Sequence, residues 1–557
     1  MVTGLRLLPF GDRAVLAEVP SLHAVLDLHA QLTAAPPPGV VDIVPAARTV
    51  LVRVDPGALP LTAARAWITA AAEAPAAAPA SSSLVELPIT YDGADLAETA
   101  DLLGLTPAEL TARHAAAEWT VAFTGFAPGF GYLVSEEWPF DVPRRATPRT
   151  RVPAGAVGLA GAFSGAYPRE TPGGWQLIGT TPAPLFDPDA GTPALLAPGA
   201  RVRFVPQVPD AVSGAAPVTG AAPADRAGTA GAPRPPGSTP SASRGRADST
   251  PPVPRVPATP NLTPTPALTI REPGLLATVQ DQGRPGHAAE GVAVSGALDR
   301  AALRTANRLV GNDEGAAGVE ITLGGFRAVA HTDLWVAVTG AWGPIRCAGR
   351  ELAPYEAHLW PAGAELQVDW FTRGARGYLA VRGGLDARAA LGSRSTDILS
   401  GLGPAPLAAG AALALAAAAA RPVPPDDLHP WSPPRDDLIE VELAPGPRAD
   451  WFAPPALAAL FEAAWTVTGQ ADRVGIRLDG PLLDRVRTDE LPSEGMAPGA
   501  LQVPPAGRPV ILGADGPVTG GYPVIAVVTD AGRDALAQAR PGTTLRFRHA
   551  RTGPWPA

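Results

Sequence analysis

The chain has 557 residues, of which 46% are hydrophobic and 17% charged, and its formal net charge is −9. This apolar fraction excludes disorder throughout, and the length predicts about three to five compact units. All 44 basic residues are arginine, because the sequence contains no lysine, and Cys347 is the one cysteine.

The missing lysine excludes several kinds of site. A Walker-type phosphate loop, a Schiff-base amine and an attached biotin all require lysine. A single cysteine excludes an intrachain disulfide and Cys-based zinc clusters. The eight histidines are dispersed without an HExxH-type pair, so we expect no dedicated metal site. The acidic balance and the lack of an arginine-rich patch argue against a nucleic-acid partner.

The sequence also gives an expected location. The first 20 residues lack the continuous apolar stretch and cleavage site of a signal peptide. The longest apolar run, about residues 408–420, is too short to cross a bilayer. We therefore expect a cytoplasmic protein without a membrane partner, and the low cysteine content agrees with a reducing compartment.

Residues 1–80 predict a small α+β domain. Two β-like runs, RAVLAEV and TVLVRVD, surround the segment SLHAVLDLHAQLTAA, in which leucine and valine recur at helical spacing. The segment LTAARAWITAAAEA predicts a second helix. Both helices are expected to pack on one small sheet.

Residues 84–206 predict strands separated by Gly and Pro. The strand-like runs are LVELPITY, EWTVAFTGF, GAVGLAG, WQLIGTT and RVRFVP. One helix, DLAETADLLGLTPAELTARHAA, is expected among them, with Thr106 as N-cap, Pro107 at the first helical position and Glu109 completing a capping box.

A change of composition divides the chain. Residues 207–266 are mainly Pro, Ala, Gly, Ser and Thr, which bury too little apolar surface to fold. We predict a disordered linker here, because a structureless segment of this length inside one compact domain is improbable. The sequence therefore predicts a natural fusion of two globular halves, 1–206 and 267–557.

The second half predicts strands and one prominent helix. Its strand-like runs, among them DLWVAVTG, GYLAVRGG, LIEVELAPG, YPVIAVV and TTLRFR, have close turn signals that favour barrels or sandwiches. The segment ALDRAALRTANRLVGN predicts a helix that ends near Gly311. The predicted fold class is mainly β with α+β, with two β-barrel lobes in 267–557.

The segment GFAPGFGYL is the first candidate site. Gly125, Pro128, Gly129 and Gly131 give it unusual backbone freedom or fixed φ, and aromatic residues surround it. Glycine lets backbone N–H groups approach an anion or carbonyl closely, and aromatic rings exclude water. On chemistry alone, a tight hairpin whose aromatics fill a barrel core is the favoured explanation of the segment.

Three further features of the first half have a binding and a structural interpretation. Arg144, Arg145, Arg149 and Arg151 suit a carboxylate or phosphate, or they are solvated loop residues. The segment YPRETPGGWQLIGTTP is a turn that feeds a strand. His114 is either a structural hydrogen-bonding residue or a general base whose partner lies elsewhere in the sequence.

The second half contains a polar segment, TVQDQGRPGHAAEGVAVSGALDR. In its structural interpretation Ser295 is the N-cap of the following helix and Asp299 is solvated. Neither Ser295 nor Ser395 lies in a GxSxG elbow, so no serine triad is recognisable. The turn ADGPVTGGYP could hold a polar substrate through backbone groups.

Taken together, these motifs resemble a known pair of families. GFAPGFGYL, VPAGAVGLAG and TPGGWQLIGTTP resemble the allophanate-hydrolase subunit 1 family, also called the 5-oxoprolinase B subunit or Kip inhibitor. TVQDQGRPG, GVAVSGALDRAALRTANRLVGN, LGSRST, LQVPPAGRPV and TGGYPVIA resemble the allophanate-hydrolase subunit 2 family, also called the 5-oxoprolinase C subunit or Kip antagonist. The family commonly has QTTGGYP where this chain has GPVTGGYP, which weakens any role for the side chain at Pro517.

The resemblance implies a fold and a function. It implies cyclophilin-like β-barrels after a small α+β domain, in the B–C component of an ATP-dependent 5-oxoprolinase that opens 5-oxo-L-proline to L-glutamate with a separate A subunit. ATP is expected as Mg-ATP, either in a cradle of another kind on this chain or held mainly by that subunit. No biotin is expected on this chain, and self-association stays open. A biotin-dependent carboxyltransferase of the urea amidolyase type and a Kip-type regulator of a histidine kinase remain alternatives.

The site hypotheses are specific. The residues expected to handle protons are His114, Asp281 and Asp299. The residues expected to bind substrate or phosphate are Gly125, Phe126, Pro128, Gly129, Tyr132, Arg149, Arg151, Gly173, Gly174, Trp175, Gln280, Arg284, Ser295, Asn307, Asp515, Thr519, Gly520, Gly521 and Tyr522.

Overall fold

The computed structural model describes residues 4–75, 84–207, 265–416, 420–424, 429–435 and 437–551. The predicted linker, apart from its end residues, lies outside the described residues. The boundaries given above for the domains stay predictions. The longest helices in the described ranges have 13 residues, and none is long and apolar enough to cross a membrane.

Residues 4–75 form a four-stranded antiparallel sheet with two helices on one face, called here the N-terminal domain. The strand order is β1-β2-β4-β3. Ser21 caps the first helix by accepting a hydrogen bond from the backbone N–H of Ala24. The elements are β1 (Arg6–Phe10), β2 (Ala14–Glu18), α1 (Leu22–Ala34), β3 (Val40–Pro45), β4 (Thr49–Val54) and α2 (Leu61–Glu73).

Both faces of this sheet are buried. Val15 and Val52 point to the helices, whereas Leu16 and Leu51 point to the other side, where they join a hydrophobic cluster with Met496 and other residues of the C-terminal part. Alternation of side chains along a strand places neighbours on opposite faces. The continuous apolar runs at β2 and β4 therefore reflect a second packing partner for the sheet.

Residues 84–206 form a barrel-like sheet, called here the first barrel. Its seven strands have the order β12-β9-β10-β7-β6-β13-β5, and a bridge between Thr90 and Thr180 joins the two edges. Its elements are β5 (Leu84–Ile89), α3 (Leu96–Leu102), α4 (Pro107–Ala116), β6 (Trp119–Thr124), β7 (Gly131–Val134), β8 (Arg149–Val152), β9 (Ala156–Ala160), β10 (Phe163–Ala166), β11 (Thr171–Gly173), β12 (Gln176–Thr180) and β13 (Arg201–Pro206).

The helical segment of this barrel corrects the sequence expectation. It contains two helices instead of one, because Gly104 has φ +67° and ends the first of them. The second helix begins with the predicted capping box: Thr106 caps the backbone of Glu109, and the Glu109 side chain accepts from the Thr106 backbone at 2.8 Å.

Residues 265–416 form a β-sandwich, called here the middle lobe. A seven-stranded sheet (β20-β19-β22-β17-β14-β25-β24) and a five-stranded sheet (β15-β16-β23-β18-β21) enclose one apolar core, and α5 packs on β18 and β23. The elements are β14 (Leu268–Pro273), β15 (Leu276–Gln280), a 3₁₀ turn (Ala288–Glu290), α5 (Arg300–Leu309), β16 (Gly318–Thr322), β17 (Phe326–Ala330), β18 (Leu334–Trp342), β19 (Ile345–Cys347), β20 (Arg350–Leu352), β21 (His358–Trp360), β22 (Glu365–Val368), β23 (Arg373–Val381), β24 (Leu385–Asp386) and β25 (Ala412–Leu415).

Residues 437–551 contain a closed barrel, called here the second barrel, with the order β26-β33-β30-β31-β28-β27-β34. The elements are β26 (Leu438–Pro445), a 3₁₀ turn (Ala449–Trp451), α6 (Pro454–Glu462), β27 (Trp465–Ala471), β28 (Gly475–Asp479), β29 (Glu494–Gly495), β30 (Ala500–Gln502), β31 (Val510–Leu512), β32 (Thr519–Gly520), β33 (Val524–Val528), α7 (Asp530–Leu536) and β34 (Thr544–His549). The structure confirms the mainly β class with a small N-terminal α+β domain.

The two barrels share a strand pairing and a tryptophan hydrogen bond. In each, the last strand pairs in parallel with the first, and a buried tryptophan after a helix donates to a carbonyl five residues earlier: Trp119 to His114 at 3.1 Å and Trp465 to Leu460 at 3.0 Å. The segments PAELTARHAAAEWTV and PPALAALFEAAWTV carry this likeness in the sequence.

Candidate functional site

The loop between β6 and β7 forms one wall of a pocket. The backbone N–H of Ala127 donates to Gly125 O at 2.7 Å, and the N–H of Phe130 donates to Ala127 O at 3.0 Å, which holds the loop in a tight turn. Phe126 has φ 66° and is 42% exposed. The turn thus presents an aromatic ring to solvent, although aromatic side chains rarely adopt a positive φ.

The pocket has a volume of about 210 Å³ and aromatic walls. The Phe130 ring lies at its base, with its centroid 5.0 Å from that of Tyr167 and 5.3 Å from that of Trp175, both edge to face. Five predicted site residues line the pocket: Phe126, Tyr132, Gly173, Gly174 and Trp175. The remaining lining residues are Phe130, Arg144, Arg145, Pro148 and Tyr167.

The arginines around this pocket differ in their pairing. Asp95 accepts from Arg149 Nη2 at 2.6 Å and from Arg145 Nη1 at 2.9 Å, so one buried carboxylate partly neutralises both. Arg151 pairs with Glu170 at 2.6 Å on the surface. Arg144 has no ion-pair partner among the residues that the structure describes, and its charge counteracts the burial that raises the Tyr132 pKa. Arg144 is therefore the pocket's free guanidinium within those ranges, and the sequence interpretation had not selected it.

The same loop docks on the second half of the chain. Gly129 N donates to Glu290 O at 2.9 Å, and Thr124 Oγ1 donates to Ala289 O. A Cβ added to Gly125 would lie 1.9 Å from Thr519 Oγ1. Gly125 and Gly129 thus serve close packing, and a direct contact of either with a ligand stays a prediction.

The TGGYP turn completes this contact. Gly520 pairs with Glu494 in a two-stranded ladder, and a Cβ on Gly521 would lie 2.9 Å from Leu491 O. Tyr522 is 44% exposed. The turn therefore belongs to the same face as the aromatic loop, although the pocket itself is lined by the first barrel. Pro128 lies in the docked loop, where its Cα would be 3.4 Å from a Cβ on Gly291.

A second link between the halves is Arg169. Its Nη1 donates to Ser400 O at 2.8 Å, and Nη2 donates to Leu399 O. Both carbonyls belong to a turn in which Asp397 accepts from the backbone N–H groups of Leu399 and Ser400 at 2.9 Å each. The barrel loop that follows Tyr167 is thereby tied to the segment after LGSRST.

Ser295 and Asp515 belong to a buried ionic network. Ser295 Oγ donates to Asp515 Oδ1 at 2.7 Å, and Arg473 donates through Nε to Asp515 Oδ2 at 2.9 Å and through Nη1 to Glu320 Oε1 at 2.7 Å. Tyr378 Oη donates to Glu320 Oε2 at 2.8 Å. Arg473 lowers the pKa of Glu320 against the opposing effect of burial, and the two carboxylates raise the pKa of Arg473.

Arg284 and Gln280 lie beside this network with free polar atoms. Arg284 is 2% exposed and donates through Nη2 to Ser395 O, but its Nε and Nη1 have no partner among the described residues. Gln280 Nε2 donates to Thr396 O at 2.9 Å, and its Oε1 likewise has no partner in the described ranges. Burial lowers the Arg284 pKa. These groups can hydrogen-bond to a further polar group, and the binding of substrate or phosphate by Arg284 and Gln280 stays a prediction.

Asn307 has a structural contact. Its side chain donates to Ala316 O at 2.7 Å and accepts from Asn312 Nδ2 at 3.0 Å, which fixes the chain after α5. Asn307 is completely buried, and it does not line the aromatic pocket. The structure favours a role in fold rather than binding.

Two of the three candidates for proton transfer are held by structural contacts away from the pocket. His114 is buried among aromatic rings, with Nδ1 2.8 Å from Tyr91 Oη and Nε2 2.9 Å from Ser164 Oγ, and burial lowers its pKa to about 3. Asp281 accepts from Ser393 Oγ at 2.6 Å and from the backbone N–H of Arg394 at 2.6 Å. Neither lines the aromatic pocket, so the structure favours structural roles for both.

Asp299 corrects the structural interpretation of the sequence. Asp299 caps α5 by accepting from Ala302 N at 2.8 Å, and it also accepts from Gln538 Nε2 at 2.7 Å. The sequence had suggested Ser295 as the cap and a solvated Asp299. The helix instead begins at Arg300, and Ser295 has φ 53° in the preceding turn.

We expect Asp299 to give stability a distinct pH dependence. Burial raises its carboxyl pKa from 3.8 to about 6. The folded state therefore holds the proton more tightly, so this contribution is present below about pH 4 and is lost as pH rises through about 6. Asp299→Asn keeps a helix cap and should remove this fall, which is worth roughly 3 kcal/mol because each pKa unit corresponds to about 1.4 kcal/mol. The measurement is the free energy of unfolding in urea, from pH 4 to 7, for the wild type and Asp299→Asn. If this free energy falls equally with pH in both proteins, Asp299 is not its cause.

The two halves of the chain match different known proteins. The model described as carboxyltransferase domain, subdomain C and D, matches residues 5–196, and that for subdomain A and B matches residues 290–549. The 5-oxoprolinase C subunit of Escherichia coli (strain K12) is 35% identical over 292 residues, which cover 50% of this chain and 90% of that protein. The 5-oxoprolinase B subunit of Escherichia coli O157:H7 is 50% identical over 129 residues, 23% of this chain and 59% of that protein.

The chain belongs to the families of the 5-oxoprolinase B and C subunits, fused in one polypeptide. A solved structure matches nearly the whole length of this chain. The crystal structure of TTHA0988 covers 96% of this chain and 99% of its own, with TM-score 0.79 and 36% sequence identity. Urea amidolyase of Lachancea kluyveri is 32% identical over 307 residues, which are 50% of the fused B–C chain but 17% of that protein.

Proposed function

We propose that this chain is the B–C component of an ATP-dependent 5-oxoprolinase that opens 5-oxo-L-proline to L-glutamate with a separate A subunit. Its similarity to the B and C subunits of 5-oxoprolinase supports the proposal. The structural observation that carries it is the aromatic pocket, whose Arg144 has no ion-pair partner among the described residues. One wall of this pocket is the loop that docks against the second half of the chain.

The pocket suits a small lactam that carries a carboxylate. Its volume of about 210 Å³ is below the roughly 300–1,000 Å³ typical of drug-sized ligands. Arg144 can bind the carboxylate in a charge-assisted hydrogen bond, and Phe126 and Trp175 offer apolar faces to the ring. Arg145 and Arg149 are partly neutralised by Asp95, so Arg144 gives the pocket its anion preference.

Tyr132 supplies a hydrogen-bond donor in this pocket. Burial raises the pKa of its phenol to about 12, so the group stays protonated at neutral pH. A neutral phenol can donate to the lactam carbonyl oxygen, which gains negative charge as water adds to the carbonyl carbon and gives it up as the ring C–N bond breaks. In the overall opening a water oxygen bonds to the carbonyl carbon, and the ring nitrogen takes up a proton and leaves as the amine.

ATP does not fit this pocket. The volume of about 210 Å³ is small for a nucleotide, and the chain has no lysine for a Walker-type cradle. We therefore propose that the A subunit holds the nucleotide and that this chain binds and orients the lactam.

The test is ATP-dependent release of glutamate from 5-oxoproline, measured with and without a candidate A subunit. We expect turnover only with both components. Arg144→Gln should lower kcat/KM about ten- to hundredfold, because a charge-assisted hydrogen bond contributes roughly 1.5–3 kcal/mol. The control Arg203→Gln removes a weakly paired surface arginine and should leave the rate unchanged. Wild-type rates in Arg144→Gln, or a large loss in Arg151→Gln instead, would reassign the substrate carboxylate.

A carboxyltransferase of the urea amidolyase type is the second candidate. The urea amidolyase relatives, which align with about half of this chain, and the description of both family models favour it. Because the chain has no lysine, biotin must be carried by another chain. Carboxylation of urea with a biotinylated partner, in place of lactam opening, would support this candidate. Activity in neither assay, with binding to a histidine kinase, would favour a Kip-type regulator.

A further inference from the structure

A second cavity lies where the N-terminal domain meets the second barrel, away from the aromatic pocket. Its volume is about 130 Å³. At roughly 30 Å³ per water molecule, this is the space of about four waters, which suits one small polyatomic ion. The cavity is lined by Arg6, Glu18, Arg48, Thr49, Arg448, Trp451, Arg487, Leu491, Pro492, Ser493 and Glu494.

Three polar atoms of these lining residues are buried without a partner in the described part of the chain. They are Thr49 Oγ1, Trp451 Nε1 and Glu494 Oε2. The residues are 1%, 3% and 2% exposed, respectively. A buried polar group without a hydrogen bond destabilises the fold, so three around one cavity indicate a ligand that supplies the missing hydrogen bonds.

The charges of the cavity favour an anion. Four arginines line it against two glutamates. Arg448 bonds to Glu18 Oε1 at 2.8 Å and to Glu494 Oε1 at 2.9 Å, which occupies both carboxylates. Arg48 donates one N–H to Pro20 O at 2.8 Å, and the Arg487 guanidinium lies 4.6 Å from the centroid of the Trp451 ring. Arg6 pairs with Glu18 at 2.8 Å and Arg487 with Asp489 at 3.6 Å, so within the described residues Arg48 is the lining arginine without an ion-pair partner.

The free atoms define the hydrogen-bonding pattern of the ligand. Trp451 Nε1–H can only donate, and the Thr49 hydroxyl can donate, so both suit anionic oxygens. Burial raises the pKa of Glu494, and Arg448 opposes that effect by donating both Nε and Nη2 to Oε1. In this ion pair the free Oε2 belongs to a carboxylate and can only accept. An anion that satisfies all three atoms must carry a proton of its own.

We propose that this cavity is a binding site for a small protonated oxyanion of the monohydrogen phosphate class, held between the N-terminal domain and the second barrel. The P–OH group donates to Glu494, while the remaining oxygens accept from Thr49, Trp451 and the arginines. Sulfate has the same shape and charge but no proton at neutral pH, so it leaves the Glu494 oxygen unsatisfied and opposed to an anionic oxygen. The site therefore selects phosphate over sulfate.

The test uses the full chain in phosphate-free buffer, with thermal unfolding and titration calorimetry in phosphate and in sulfate at equal ionic strength. We expect saturable binding of phosphate, with a rise in Tm, and at least tenfold weaker binding of sulfate. A phosphomonoester such as glycerol 3-phosphate is the second arm, and it should bind at least tenfold more weakly than inorganic phosphate because the cavity holds little more than the ion. Tighter binding of the ester would overturn the assignment to free phosphate.

Two variants separate binding from folding. Thr49→Val removes the free hydroxyl and suits the strand, so Tm without anion should be unchanged while phosphate affinity falls about tenfold. Glu494→Gln introduces an N–H₂ donor and should reduce the preference for phosphate over sulfate to less than threefold. Arg548→Gln, which removes a surface pair with Glu440, is the control. Equal, non-saturating effects of both anions, or wild-type affinity in Thr49→Val, would show an adventitious ion only and reject the site.

Discussion

Replacement of Arg473 by methionine is expected to lower the free energy of unfolding by about 3–5 kcal/mol, the largest loss of stability among the changes considered. Arg473 is 1% exposed and neutralises Glu320 and Asp515, which are 1% and 0% exposed. Methionine fills the space but leaves Asp515 buried without its cation and Glu320 with only Arg376, whose Nε lies 3.8 Å from Glu320 Oε1. Urea denaturation followed by tryptophan fluorescence measures the change.

Two comparisons show whether the loss comes from stranded charge. In a background that combines Glu320→Gln with Asp515→Asn, Arg473→Met should cost markedly less, because no uncompensated carboxylate remains. Arg548→Met breaks an exposed pair with Glu440 and should change stability by less than about 1 kcal/mol. A loss in Arg473→Met as small as in Arg548→Met would mean that the network contributes little to folding.

Gly125→Ala is expected to reduce the activity of the assembled enzyme about a hundredfold. The added Cβ would lie 1.9 Å from Thr519 Oγ1, so the loop that carries Phe126 must move. Displacement of a positioned group by about 1 Å can lower a rate by this factor. The assay is glutamate release with the A subunit, alongside urea unfolding to separate lost activity from lost fold.

Relief of the clash provides the control. Thr519→Gly removes the hydroxyl and Cβ that the new methyl group meets, so the double variant Gly125→Ala, Thr519→Gly should recover much of the lost rate. Gly104→Ala is unsuitable as a match because Gly104 has positive φ, but Gly191→Ala adds a methyl group to open space and should be silent. Full activity in Gly125→Ala would show that the docked loop does not position the substrate.

The sequence predicted those elements well whose signal lies within a few neighbouring residues. The segments WQLIGTT and YPVIAVV are strands, and the Thr106 capping box begins a helix as expected. Periodicity alone missed the break at Gly104, because the apolar pattern of the segment continues from the first helix into the second. The sequence analysis placed the two helices on the N-terminal sheet but did not predict a second buried face, and only the fold shows that the second barrel covers it.

The site was harder to predict because its residues depend on contacts between distant segments. The aromatic loop and TPGGW were selected together, and they do line one pocket. Which arginine is free depends on Asp95, some 50 residues away from Arg145 and Arg149, so sequence could not distinguish Arg144. Arg473 lies in a segment without a recognisable motif role, and its importance follows only from the two carboxylates brought to it by the fold.

The hydrophobic cluster that joins the N-terminal sheet to the second barrel has a consequence for how this protein is made. Leu16 and Leu51 are 0% exposed because residues such as Met496 and Val527 cover them. A surplus copy of either half would present this apolar surface to water and tend to aggregate. Synthesis of both halves as one polypeptide fixes their stoichiometry at one to one, so neither accumulates without the surface that covers it.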